Sequence, residues 1–368
     1  MRKFVFSLLA AFAIHAETTS DWQLGPFLRK DSDNPIITPN PESTFFCPVQ
    51  QKIVHWECDH TFNPGAAVRD GKIYVLYRAE DNFGQGIGRH TSRLGFAESE
   101  DGVHFTRSPE PVLYPDNDAE RIVEWPGGCE DPRIVKRADG IYVMTYTQWA
   151  GFNDAVEKKD RNIPLLGIAT SQDLRSWEKK GYAFADSPLG PFYSKSGSIV
   201  CQQVDNDLVA VQIGGKYWMY WGEGPVFAAV SEDLIAWQPI LDEEGNPVVA
   251  LDKRAHKFDS VLVEAGPPAI LTDKGIVLLY NGKNAKINGD PNLSPGAYAA
   301  GQVLFDATNP LQILARSEES FFRPEREFEK TGQYVSGTVF IEGLVPFEGK
   351  WFLYYGTADS AVGVAVCE

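Results

Sequence analysis

Short apolar runs alternate with polar positions along most of this chain, with the two-residue period of a β-strand, and Gly, Pro, Asn and Asp punctuate them. One pattern recurs five times: a Gly followed by an aromatic-rich strand. The copies are GKIYVLYRAE at 71, GIYVMTYTQW at 140, GKYWMYWGEG at 215, GIVLLYNGKN at 275 and GKWFLYYGTA at 349. In three copies the next strand ends in a shared signature, LGFAESEDGVHF, LGIATSQDLRSW and FAAVSEDLIAW. Its small-apolar-Ser-x-Asp core reads as a β-turn between two strands, with a Phe or Trp covering the core.

Another apolar stretch precedes each Gly-aromatic strand: FNPGAAV, EDPRIVK, GSIVCQQ, EAGPPAI and SGTVFIE. That makes about four strands per copy, the unit of a propeller blade. The expectation is an all-β, five-bladed β-propeller over residues 17–368, almost without helix. The fifth copy stops at AVGVAVCE, one strand short, so LGPFLRKD or NPIITP near the start is expected to complete it. Two separate β-sandwiches are the alternative, but sandwiches do not call for one signature three times.

Composition narrows the partners. The 368 residues are 43% hydrophobic, enough to bury a large core. A formal net charge of −16 repels nucleic acid and anionic membranes and leaves neutral or cationic ligands. Residues 1–16 carry Arg2 and Lys3, then an apolar run from Phe4 to Ile14, then Ala16. This reads as a cleavable signal peptide, too short to span a bilayer. An exported protein, periplasmic or extracellular and without a membrane anchor, is the expectation; a retained anchor is the alternative. The cysteines Cys47, Cys58, Cys129, Cys201 and Cys367 show no metal-type spacing. Export permits a Cys47–Cys58 bridge, and Cys129 reads as a small buried hydrophobe. No metal or cofactor is implied.

In a propeller the entries of the innermost strands meet near the axis. They would supply Asn63, Asp131, Lys195 or Ser198, Glu264 and Ser336, and the ends of the second strands would add Arg78, Glu223, Asn281 and Asp359. Acids, bases and amides set among Trp and Tyr suit a sugar, whose hydroxyls bond carboxylates and amides and whose C–H face stacks on rings. Carboxylates around one sugar can also cleave its glycosidic bond, provided one holds a proton. Asp131 beside Glu130 is expected to hold it, through burial and like charge. Glu130 is open to a second role, as a sugar ligand or as the partner of Arg133. Trp149 and Phe152 are either stacking platforms or loop anchors.

These residues resemble glycoside hydrolase family 130, the mannoside phosphorylases and mannosidases. The landmarks are FNPGAAVRDGKIYVLYRAE, SRLGFAESEDGVHF, EDPRI, EAGPPAILTDKGIVLLYNG, YAAGQVLFDATNPLQIL and YYGTADSAVGVA. The resemblance implies a five-bladed propeller and a mannose-containing oligosaccharide as substrate. It makes Asp131 the acid, delivering its proton through a mannose hydroxyl, with Asn63, Arg78, Lys195 and Asp359 holding that mannose and Arg93 a further candidate.

Phosphate-using members carry a His-Arg pair where this chain reads YWGEG, and a His where it has Asn281. Here Glu223 and Glu264 stand where phosphate needs cations. The family's hydrolytic branch, similar in carrying two such glutamates, cleaves β-1,2-linked mannosides with inversion. The reading is therefore an inverting hydrolase: Asp131 as acid, and Glu223 with Glu264 as the base pair about 6.5–9.5 Å away, room for a water. A phosphorylase releasing mannose 1-phosphate and a non-catalytic glycan-binding propeller are the alternatives.

Overall fold

The computed structural model describes residues 20–84, 86–151 and 163–368. The leader reading of residues 1–16 and the Phe152 platform lie outside these residues.

Five antiparallel meanders of four strands follow one another. The first runs through His60–Arg69, Lys72–Glu80, Ser92–Ser99 and Thr106–Arg107. The second comprises Gly128–Lys136, Tyr142–Trp149, Leu165–Ser171 and Glu178–Tyr182. The third pairs Ser198–Val204, Lys216–Trp221, Val226–Ser231 and Trp237–Pro239. The fourth places Leu262–Ala265 and Ala269–Leu271 against Ile276–Lys283, then Tyr298–Phe305 and Ile313–Arg316. The fifth runs Val339–Phe347, Lys350–Thr357 and Ala361–Cys367, and its outer strand is Leu28–Arg29. LGPFLRKD thus completes the last sheet, and NPIITP adds an Ile37–Val362 bridge beside it. Helix among the described residues is confined to Arg121–Glu124 and a 3₁₀ turn at Glu327–Glu329.

Each Gly-aromatic strand is the second of its meander, and the reason for its tyrosine is visible. Tyr77, Tyr146, Tyr220, Tyr280 and Tyr354 are all fully buried. Their hydroxyls bond Glu57, Glu124, the Pro310 carbonyl, Asp259 and the Gly102 carbonyl, so no buried O–H is left alone. In three meanders a glycine stands directly across on the third strand, Tyr77 opposite Gly95, Tyr146 opposite Gly167 and Tyr280 opposite Gly301. A Cβ at Gly95 would lie 2.3 Å from the Tyr77 ring, so the ring takes that space.

The Ser-x-Asp signature has an equally local cause. Asp101, Asp173 and Asp233 each accept two backbone N–H groups past the bend, from Val103 and His104, Arg175 and Ser176, and Ile235 and Ala236. Ser99, Ser171 and Ser231 accept the N–H of Gly102, Leu174 and Leu234, which all have positive φ. Side-chain acceptors thus hold two leucines in a conformation that favours glycine.

The first strands of successive meanders lie close together, with parallel pairing of Lys136 to Val209 and Val200 to Ala269. Glycine permits the approach: a Cβ at Gly65 would lie 2.4 Å from the Pro132 carbonyl oxygen, and one at Gly343 would lie 2.7 Å from that of Pro64. All five cysteines are free. Cys47 packs on the Arg93 guanidinium and Cys58 on Asp59, so the possible bridge is not formed. Cys129 is buried in the core, as its surroundings in sequence imply.

Candidate active site

Two bulged first strands build the acid side. The register slips at Phe62/Pro64 and at Glu130/Arg133, and the residues in the slips, Asn63 and Asp131, have φ of 43° and 51°. Both precede a proline, which disfavours the α region and, with the bulge, turns the side chain out of the pleat. The two meet: Asn63 Nδ2 donates to Asp131 Oδ1 at 2.9 Å. Arg78, at the end of the second strand, joins them. Its guanidinium reaches Glu80 at 2.6 Å, Glu130 at 2.9 Å and Asp131 at 3.3 Å, and rests on the Phe62 ring. Ser92 accepts from Arg78 Nε and donates to Glu130.

The opposite side is built by strand pairing. Glu223 and Glu264, far apart in sequence, are direct partners across Glu223–Gly224 and Leu262–Ala265. Lys195 lies between both sides, its Nζ 3.4 Å from Glu264, 3.7 Å from Glu223 and 3.7 Å from Asp131. The two distances to one nitrogen keep these Asp131 and Glu264 oxygens within about 7 Å of each other. Ser196 donates to Glu264 and Tyr193 to Glu223.

The charges are split unevenly. Burial works to raise Asp131, but Arg78, Lys195 and the Asn63 amide outweigh it and hold the carboxyl down at about 2. Burial wins at Glu130, pushing it up to about 7 against the pull of Arg78. The balance thus favours the proton on Glu130 over the expected Asp131. Asp131 gains the Asn63 amide beside the two cations, whereas the like charges of Asp131 and Glu80 add to burial at Glu130. Lys195 lowers Glu223, whereas burial pushes Glu264 up to about 7. Asp359, with φ of 50° beside Gln333, is raised to about 7 by burial in the field of Arg78, Glu80 and Asp131.

The structure thus gathers Asn63, Arg78, Glu130, Asp131, Lys195, Glu223 and Glu264, with Asp359 alongside. Two expected residues stand apart. Arg93 ion-pairs with Asp81 at 2.7 Å and touches Cys47. The alternation of its strand turns Ser92 toward Arg78 and Glu130, and therefore Arg93 to the other face. Asn281 spends both ends of its amide on the backbone of Ile341, tying the fourth meander to the fifth. Neither is free for a sugar. Ser198 is likewise committed to the Pro267 carbonyl, and Arg133 bonds backbone carbonyls and Glu342 instead of Glu130. Trp149 is a loop anchor, its indole N–H donating to the Gly88 carbonyl.

Glu80, Ser92, Tyr193, Ser196 and Glu342 join the site without having been singled out. For the first two the signal was available, since two-residue spacing from Arg78 to Glu80 places both on one strand face. His60, Glu80 and His90 bring ligand atoms within 4.8 Å of one another, a spacing that could hold a metal ion, but Arg78 and Gln333 already take the Glu80 carboxylate. A groove of about 670 Å³ beside Asp173 and Trp177 lies among the signature turns at the far strand ends, and its Asp173 is spent on the bend.

Comparison with known proteins places the chain in a family. Residues 27–368 match the glycoside hydrolase 130 family profile, described as beta-1,4-mannooligosaccharide phosphorylase. A 1,2-beta-oligomannan phosphorylase of Thermoanaerobacter sp. (strain X514) is 33% identical over 346 residues, 93% of this chain and 97% of that protein. A crystal structure of a putative glycosidase from Bacteroides thetaiotaomicron VPI-5482 is 53% identical with a TM-score of 0.88, covering 93% of this chain and 96% of that one. Another, at 53% identity, TM-score 0.90 and 95% of both chains, comes from work stating that the GH130 mannoside phosphorylases contain glycoside hydrolases that target beta-1,2 mannosidic linkages in Candida mannan. The chain belongs to glycoside hydrolase family 130, whose members act on β-mannosides.

Proposed function

We propose that this protein is an exported, inverting β-mannosidase that hydrolyses β-1,2-linked mannosides, its five meanders forming the blades of a propeller around the site. The observation that supports this most is the pairing of Glu223 with Glu264 on the far side of Lys195 from Asp131.

A bound mannose would separate Lys195 from Asp131. Without that cation Asp131 becomes more basic, and the single proton of the Glu130–Asp131 pair moves onto it. Asp131 then protonates the leaving oxygen through a sugar hydroxyl. Glu223, kept ionised by Lys195, takes a proton from the attacking water, and Glu264 orients that water. Asn63, Arg78 and Asp359 hold the mannose. The apolar leader at residues 1–16 supports export; the N-terminal sequence of the secreted protein tests it.

Phosphorolysis is the second reading, favoured by the names of the curated relatives and by the cationic Lys195. Yet an anion attacking from this side would meet two carboxylates sharing one lysine. Incubating β-1,2-mannobiose with and without inorganic phosphate decides between them: mannose in both cases supports hydrolysis, and mannose 1-phosphate overturns it. Proton NMR of the first-formed anomer tests inversion, which requires α-mannose.

A further inference from the structure

Beneath the site lies a buried pair that the mechanism above does not use. Arg133 sits two residues past Asp131, on the far side of the bulge, and is 2% exposed. Its Nη1 donates to the Asp131 carbonyl at 3.1 Å, its Nε to the Gly266 carbonyl at 2.7 Å and its Nη2 to the Ala265 carbonyl at 3.0 Å. Ala265 directly follows Glu264. One planar guanidinium thus grips the backbone of both the acid strand and the strand of the attack side. Glu342, fully buried in the bulge of the fifth meander's first strand, closes the set 3.0 Å from Arg133 Nη1. Neither of its oxygens has a hydrogen bond.

As a stabilising device this is poor. Burial strips water from both groups and pushes the Glu342 carboxyl well up, and such a pair seldom returns more than a well-packed apolar replacement would. A carboxylate without hydrogen bonds makes it worse. A rigid five-donor fork whose donors span two catalytic strands does suit one task, holding those strands at a set distance.

We propose that Arg133 and Glu342 are positioning residues, a strut that fixes the Asp131 bulge and with it the gap between Asp131 and the Glu223–Glu264 pair. Glu342 keeps the guanidinium in plane by lying against it from the fifth meander. The inference rests on the assignment of Asp131 as acid, but it holds for attack by water or by phosphate.

The test uses the full-length enzyme carrying Arg133→Lys, Glu342→Gln or Glu342→Ala. Lysine keeps the charge beside Glu342 but cannot serve three carbonyls at once. Arg133→Lys is expected to lower kcat by about tenfold to a hundredfold, with KM within about twofold, because a displacement near 1 Å is enough for such a loss. Glu342→Gln, with the same shape, should retain most of kcat, whereas Glu342→Ala should behave like Arg133→Lys. A lowered Tm with wild-type kcat per folded molecule in Arg133→Lys would overturn the proposal. A crystal structure of Arg133→Lys reads the acid's position without turnover: a displaced Asp131 carboxylate supports the strut, and an unmoved one refutes it. If the wild-type protein proves inactive on every mannoside, the assignment of Asp131 fails, while the crystal structure still decides whether the strut sets its position.

Discussion

The acid side and the attack side of the site solve one problem in two ways. Glu130 and Asp131 are consecutive in sequence, and a bulge turns both toward Arg78. Glu223 and Glu264 become neighbours only through strand pairing, and Lys195 bridges them. Yet each pair splits alike, one carboxyl pushed up to about 7 by burial and the other held down by a cation. What separates the members of each pair is not the nearest cation, since Arg78 lies closer to Glu130 and Lys195 closer to Glu264, but the balance of burial against all the surrounding charges. Residue type does not: both raised groups are glutamates, but so is one of the lowered ones.

The comparison can be broken at four points. Asp131→Asn removes the proposed acid and should cost about three to four orders of magnitude in kcat/KM, read with β-1,2-mannobiose. An activity within tenfold of wild type would move the acid elsewhere. Glu223→Gln should cost on the order of a hundredfold or more and Glu264→Gln less, because Glu223 is the group kept ionised. The reverse order would exchange base and water-orienting roles.

Glu130→Gln removes the group that stores the acid side's proton. Asp131 alone is held low, so the alkaline limb of the kcat/KM profile should move to lower pH; a limb left in place would mean that Glu130 does not share the proton. The smallest effect is on stability. Glu130, Glu264 and Asp359 are raised to about 7, so the folded protein holds protons that the unfolded chain has released. Their contribution is complete below the ordinary carboxylate range and is lost as pH rises through about 7. Asp131 and Glu223, which are lowered, act only at more acidic pH. The Tm is therefore expected to fall by a few degrees from pH 5.5 to 8, and a rise would refute the raised values.

Local patterns were legible and distant geometry was not. The repeated glycine, tyrosine and Ser-x-Asp positions are held by local contacts, so sequence spacing predicts the four-strand units and narrows the strand that completes the fifth to two stretches. Asn63 and Asp131 were legible for a similar reason, each preceding a proline at a strand entry. Arg93 misled because it sits next to the relevant Ser92, and one step along a strand reverses the face. Asn281 sits at a strand end, as expected, but the interlock with Ile341 depends on how two meanders meet. Glu342 was missed because its bulge lies within the strand, six residues past Ser336, where no turn signal marks it. Proton placement was the least legible, since it depends on how burial and charges gathered from several strands balance at each carboxyl.

The clasp at the fifth sheet bears on how such a chain is made. Ala361–Cys367 is an inner strand, seated between Lys350–Thr357 and Leu28–Arg29, and Asn34 fastens to Val364 across 330 residues. That sheet cannot be finished until Ala361–Cys367 has been made and slides in beside Leu28–Arg29, so the early segment must wait unpaired while the residues between them are synthesised. Such distant pairing makes for slow closure, so this sheet is expected to form after the other four.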